Sequence, residues 1–305
     1  MASAPQSIRV LSDGRAGHEN QSIGLAEAIA RRTGAQVEVV RFAPNDWLWG
    51  RYRKAVASAA PVDLLISAGH RTHLTLFLAA RKLNAKSVVI MSPSWPLALF
   101  DLCLAPRHDL RAGRQSQPRV VPTFGALNRL PETIPAKQRA GLVLVGGPSK
   151  SHGWAGEAVT QAINDIVTAR PDLTWTIADS RRTPAGFLDQ LRQRELKAQI
   201  VPHTQTKPDW LPAQLGAAEE AWATADSISM IFESVTAGAR TGVLPVPALK
   251  DSAAPVRAIE ELIRAGHAMN YETWKQNGRQ LPPPKPLHET ARCADLVIAR
   301  LFPRN

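Results

Sequence analysis

Acid–base side chains are concentrated in the stretch SDGRAGHENQ, where Asp13, Arg15, His18, Glu19 and Gln21 follow the short apolar run 8–11. A histidine at a helix mouth can take a proton from a hydroxyl or hold a substrate oxygen. His18 is therefore the candidate base, with Asp13 as an alternative or orienting carboxylate and Arg15 beside them. Gly14 and Gly17 fit an anion-facing turn between strand and helix. The bland alternative is a surface loop with a solvated histidine. The pattern repeats after residues 63–67, where Gly69, His70, Arg71, Thr72 and His73 precede an apolar helix.

The second half carries groups suited to phosphate. Residues 142–145 are all apolar and run into Gly146-Gly147, whose bare backbone lets N–H groups approach a ligand. Ser149, Lys150, Ser151 and His152 add donors, so GGPSKSH reads as a diphosphate cradle without the P-loop spacing. Residues 173–178 end in Asp179, Ser180, Arg181, Arg182 and Thr183, and paired arginines suit a phosphate or anionic sugar. A base or sugar ring could lie against the loop 203–210, where Trp210 is expected to pack a core. In TADSISMIFESVTAGARTGVLPV, Ile228, Ile231, Val235 and Ala239 form an apolar helix face. Asp226 or Ser227 caps that helix, Ser229 lies in its first turn, and Glu233 sits mid-helix. Gly238 and Gly242 are expected to supply the turn before the buried strand 243–246.

The elements that must position these groups alternate strand and helix. Apolar runs at 8–11, 37–42, 63–67, 87–91 and 101–104 each end in a polar mouth, which predicts a doubly wound, mostly parallel α/β sheet. His18, His70 and His108 then share its carboxyl-end side. Residues 111–137 are rich in Pro, Gly, Gln and Arg, with a strand-like 119–122. At 305 residues two domains are expected. They are placed at 1–130 and 138–280, with a last amphipathic helix, 287–302, crossing back to the first half after the stiff LPPPKP spacer.

Composition removes several classes. A 44% hydrophobic, 21% charged chain is that of a globular protein. Cys103 and Cys293 lie far apart without a CxxC partner, which fits a reducing cytosol. No basic-then-apolar leader opens the chain, and no apolar run approaches the ~18 residues of a membrane span. The net charge of +11 favours an anionic substrate or membrane face. Nucleic acid is disfavoured, because the arginines are dispersed and no binding motif is present. Trp47, Leu48, Trp49 and Tyr52 interleave with Arg51, Arg53 and Lys54, which suits a lipid interface. Inward-packed tryptophans with a wet basic face are the alternative. No Asp/Glu/His cluster has metal-ligand spacing. The absence of GxGxxG argues against a dehydrogenase and, on the same ground, against a sugar-nucleotide epimerase.

Taken together, SDGRAGHENQ, GGPSKSHGW and TADSISMIFESVTAG with GVLPV closely resemble bacterial relatives of the plant mitochondrial-fission family named for elongated mitochondria. More distantly the layout is similar to GT-B glycosyltransferases, above all the lipid-linked N-acetylglucosaminyltransferase of peptidoglycan synthesis. That resemblance implies two Rossmann-like domains with parallel sheets facing a central cleft. It implies an acceptor side at Gly14, Gly17, His18, Gly69 and His70. A nucleotide-sugar donor would meet Gly146, Gly147, Ser149 and the Ser227 and Ser229 helix mouth, with its ribose on Glu233. Lys150 or Arg181 would stabilise the leaving group, and no cofactor or metal beyond the nucleotide-sugar co-substrate is implied. The acceptor would be an envelope glycolipid or lipopolysaccharide core at the cytoplasmic membrane face. The first loop, DGRAGH, has fewer glycines than that pattern, and the second lacks consecutive ones. The rival is a non-catalytic adaptor that keeps this fold and recruits another protein to a membrane.

Overall fold

A computed structural model describes residues 4–57, 60–93, 95–110, 117–207, 209–251 and 253–303. Residues 111–116 of the irregular stretch expected at 111–137 lie outside the described residues. The chain divides into two compact units, Met1–Arg129 with His288–Asn305, and Leu130–Leu287.

In the first unit, β1 (Ser7–Ser12), β2 (Gln36–Arg41), β3 (Leu64–Ala68), β4 (Lys86–Ile90), β5 (Leu102–Pro106) and β6 (Val120–Thr123) form one sheet, ordered β2-β1-β3-β4-β5-β6. Every pairing in it is parallel. Parallel strands are covered on both faces, which explains why they read as unbroken apolar runs. Ile8 and Val10 point to one core, with Leu25 and Ile29 of α1 (Ala16–Thr33). Leu11, Leu65 and Val89 point to the other, which α2 (Leu48–Val56) and α3 (His73–Leu83) close with Ala55, Leu76 and Ala79. Arg9 is 1% exposed, and pairs with Glu38 at 2.8 Å while donating to the Ala55 carbonyl of α2. A buried cation is tolerated because both its neighbours are anionic or carbonyl oxygen.

The second unit repeats the plan with β7 (Ala140–Leu144), β8 (Thr174–Ala178), β9 (Ala198–Val201), β10 (Glu220–Thr224), β11 (Arg240–Leu244) and β12 (Met269–Asn270). The sheet order is β12-β11-β10-β7-β8-β9, again with parallel pairings. Its helices are α4 (Gly156–Ala169), α5 (Phe187–Arg192), α6 (Trp210–Ala217), α7 (Ile228–Thr236), α8 (Ala254–Arg264) and α9 (Tyr271–Gln276). The final helix, α10 (Glu289–Leu301), belongs to the first unit. Its Cys293, Ala294 and Val297 join the α1 core, and Thr290 Oγ1 exchanges hydrogen bonds with the Asn128 backbone at 3.0 Å in both directions.

Two expectations are corrected here. Gly242 lies inside β11, not in the turn, because a Cβ there would collide with the Trp222 ring of the neighbouring strand. Gly238, at φ +74°, makes the turn alone. Trp210 is half-buried at the start of α6, and the core tryptophans are Trp175, Trp222 and Trp274.

Candidate functional site

In each sheet the chain reverses its direction of travel at one place, and there two strand ends leave an open crevice between diverging loops. In the first unit that place lies between β1 and β3, and in the second between β7 and β10.

The β1–β3 crevice holds the acid–base groups. The first helix starts at Ala16, earlier than its apolar spacing suggests, so Gly17 and His18 occupy its first turn. Asp13 Oδ1 accepts from the Arg15 amide and closes the turn, while Gly14 takes φ +75°. Both Asp13 oxygens lie 3.0 Å from His18 Nδ1. The Asp13 carboxylate is 3% exposed and the His18 ring 16%. A carboxylate on Nδ1 fixes the tautomer that leaves Nε2 as proton acceptor. Gly69, at φ +90°, presses against this pair: a Cβ there would collide with the His18 ring and sit 3.2 Å from Asp13 Oδ2. The β3 loop must therefore be glycine for the histidine to stand where it does. Arg15 and His70 are exposed at the rim. Gly17 is helical with open space around it, so nothing there demands glycine. Glu19 is structural, accepting from Ser12 Oγ and Arg41 Nε at 2.7 Å each.

The β7–β10 crevice is built differently from a bare phosphate cradle. The Gly146 amide donates to Thr224 Oγ1 at 2.7 Å, and the Gly147 amide to Asp226 Oδ2 at 3.0 Å. A Cβ on Gly146 would overlap the Asp226 carboxylate, and one on Gly147 would overlap the Arg182 carbonyl. The glycine pair thus admits the protein's own groups. Asp226 is not a helix cap, and Ser227, which holds the cap position of α7, makes no side-chain cap bond. The amino end of α7 consequently keeps backbone N–H groups for an anion. Ser227 is buried and Ser229 exposed there, with Glu233 partly buried further along the helix. Ser149 turns its Oγ onto the amides of Ser151 and His152, and Lys150 is exposed. Burial pulls the buried His152 imidazole down, which the Asp226 charge opposes and the Arg182 charge reinforces. At the ends of β8 and β9, Asp179 accepts from both the backbone and Nδ1 of His203.

Trp47 and Trp49 are 64% and 51% exposed, contrary to the inward-packed alternative. Arg53 points to solvent, but Arg51 is half-buried and donates to the Arg71 carbonyl, while Lys54 pairs with Asp46 at 2.6 Å. Trp95, in the loop after β4, is a third exposed indole at this carboxyl end of the sheet. No helix among the described residues is long and apolar enough to cross a membrane.

Sequence reasoning passed over Asp226 as a cap and Arg182 as the neighbour of Arg181. It named His73 only as one of the polar groups after β3, whereas this histidine is 2% exposed, neither ring nitrogen has a hydrogen-bond partner among the described residues, and burial holds it down to about 4. The available signal for Asp226 was an acid placed at the end of a fully buried strand, opposite a glycine pair.

The family described as mitochondrial fission ELM1 matches residues 16–301. No curated protein matches the chain significantly. Among solved structures, a Listeria monocytogenes protein provisionally described as a UDP-N-acetylglucosamine 2-epimerase aligns with TM-score 0.62 at 13% identity, covering 98% of this chain and 97% of that one. The UDP-GlcNAc 2-epimerase of Neisseria meningitidis bound to UDP-GlcNAc aligns at 0.54 and 12%, covering 98% and 100%. MurG of Acinetobacter baumannii aligns at 0.52 and 13%, covering 96% and 99%. At these identities the likeness is one of fold: two parallel-sheet Rossmann-like units of the GT-B kind. Epimerases stand among these neighbours, so the missing GxGxxG motif does not set them aside.

Proposed function

The chain belongs to the mitochondrial fission ELM1 family, and from that premise we propose that it transfers a sugar from a nucleotide-sugar to an envelope glycolipid or lipopolysaccharide-type acceptor. The observation that carries this reading is the buried Asp13 carboxylate on His18 Nδ1 at the β1–β3 crevice. An aligned carboxylate–imidazole pair takes the proton from an acceptor hydroxyl as the hydroxyl oxygen attacks the anomeric carbon, and the bond from that carbon to the donor's phosphate oxygen breaks, releasing the nucleoside diphosphate with the electron pair. Asp13 then stabilises the resulting imidazolium. The second unit holds the donor in this reading, with phosphates at the Ser227 and Ser229 end of α7 beside Ser149 and Lys150, and ribose on Glu233. The exposed Trp47 and Trp49 with Arg53 suit a lipid-linked acceptor presented at an anionic membrane face.

The test is transfer of labelled sugar from a panel of nucleotide-sugars to a bacterial envelope lipid extract. Asp13→Asn, which leaves the imidazole without a carboxylate, should lower the rate by about two to four orders of magnitude. Donor binding should stay unchanged. A full rate in that variant would remove the pair from the chemistry. Nucleotide-sugar epimerised without any acceptor product would move the protein to the epimerases. Neither outcome, combined with membrane and partner binding, would favour the adaptor.

A further inference from the structure

At the β7–β10 crevice one cation is oriented by an anion beneath it. Asp226 has no exposed side-chain surface, whereas Arg182 above it is 41% exposed. Arg182 Nη1 meets Asp226 Oδ2 at 2.7 Å and donates to the Gly147 carbonyl at 2.9 Å. The same Oδ2 accepts the Gly147 amide. Thr183, next in the chain, reaches the Val145 and Gly146 carbonyls through its hydroxyl at 3.0 and 2.6 Å. The segment carrying Arg182 is therefore tied to the end of β7 at several points. Asp226 Oδ1 is buried and has no hydrogen-bond partner among the described residues, an arrangement that a buried carboxylate tolerates only with a cation alongside.

A guanidinium has five N–H donors in one plane. Nη1 makes both anchoring contacts, to Asp226 and the Gly147 carbonyl, which leaves the Nε and Nη2 donors for a ligand on a side chain that is 41% exposed and is anchored on the residue preceding Ser227 of the α7 cap. Bidentate geometry of this kind suits a phosphate, and holding it in advance removes the cost of ordering a long side chain when the ligand arrives. Arg181 and Lys150 are exposed, and among the described residues no hydrogen bond or ion pair anchors either one. We propose that Arg182 is the cation that grips the ligand's phosphates in the second unit, and that Asp226 is its positioning residue. This proposal rests on the nucleotide-sugar reading, and of the paired arginines it gives the phosphate contact to Arg182 in place of Arg181 or Lys150.

The experiment is calorimetric titration of the full chain with UDP, GDP, CDP and ADP, the matching nucleosides and inorganic pyrophosphate. Arg182→Gln should weaken the bound nucleoside diphosphate about ten- to hundredfold while leaving its nucleoside unchanged. It should also flatten the dependence of affinity on salt. Asp226→Asn should lose part of the same affinity. The double variant should be no weaker than Arg182→Gln alone, since an anchor matters only through what it holds. The double variant also removes both charges together, so it tests the idea even if Arg182→Gln strands the carboxylate and unfolds. Equal losses for nucleoside and diphosphate, or strictly additive losses, would overturn the proposal. If no nucleotide binds the wild type, the nucleotide reading fails and pyrophosphate decides: binding that depends on Arg182 upholds the clamp, and its absence removes it.

Discussion

Gly69→Ala tests whether the loop after β3 exists to seat His18. Two costs are expected. An alanine at φ +90° is strained by about 1–3 kcal/mol. Its Cβ would also enter the His18 ring, and the ring must leave Asp13 to escape. Losing a hydrogen bond to a buried carboxylate costs about 1.5–3 kcal/mol more. The sum is about 2.5–6 kcal/mol. Gly14→Ala supplies the control: its φ is +75°, yet nothing lies within 4 Å of the added carbon. It should cost only the strain of a left-handed alanine, about 1–2 kcal/mol. Urea denaturation of both variants measures the difference, and the His18 imidazole signals in a ¹H–¹⁵N spectrum report whether the ring has left Asp13. Gly69→Ala should exceed Gly14→Ala by about 2 kcal/mol and shift those signals, whereas Gly14→Ala should not. Equal losses with an unmoved His18 would refute the packing argument.

Two further outcomes follow from the same crevice and its rim. His73 is held down to about 4 by burial, then by the charges of His70 and His18. Between that value and the ordinary pKa near 6.5 the unfolded chain binds a proton that the folded chain refuses, so stability falls as pH drops through the window. The loss should reach about 3 kcal/mol, and His73→Leu should flatten that part of a stability–pH curve measured by denaturant melts; an unchanged slope would assign it to another group. Trp47→Ala with Trp49→Ala should leave the melting temperature within about 2 °C, because both rings are more than half exposed. The double variant should nevertheless abolish sedimentation with vesicles containing anionic lipid; unchanged sedimentation would remove the membrane from the account.

Much of the fold was legible because buried parallel strands declare themselves. The runs at 8–11, 63–67, 87–91, 142–145 and 221–224 are dominated by apolar residues, match β1, β3, β4, β7 and β10 to within two residues, and are buried on both faces over the strand residues they share. Two-residue β12 has no such run, and nothing in Met269–Asn270 announces a strand. Apolar spacing does not mark the first turn of α1, because Ala16, Gly17 and His18 present no buried apolar face and the turn closes through the His18 and Glu19 amides donating to the Arg15 carbonyl. The mouths of the strands could be listed from sequence, but their internal bonding could not. A glycine signals that something approaches closely, and it does not say what. At Gly69 the visitor is His18, at Gly146 it is Asp226, and at Gly242 it is an indole from the next strand. Exposure of Trp47 and Trp49 was likewise open, since helical spacing alone fits an outward or an inward indole.

The claim that the second unit binds a nucleotide carries the rest of the functional account. Thermal-shift measurement of the wild type and Glu233→Ala against UDP, GDP, CDP and CMP tests it directly, because a ligand that binds only the folded chain raises its melting temperature. The account predicts a concentration-dependent rise with one of these nucleotides that disappears in Glu233→Ala, whose own melting temperature stays near that of the wild type. No rise with any of the four, or a rise that Glu233→Ala leaves intact, would contradict it.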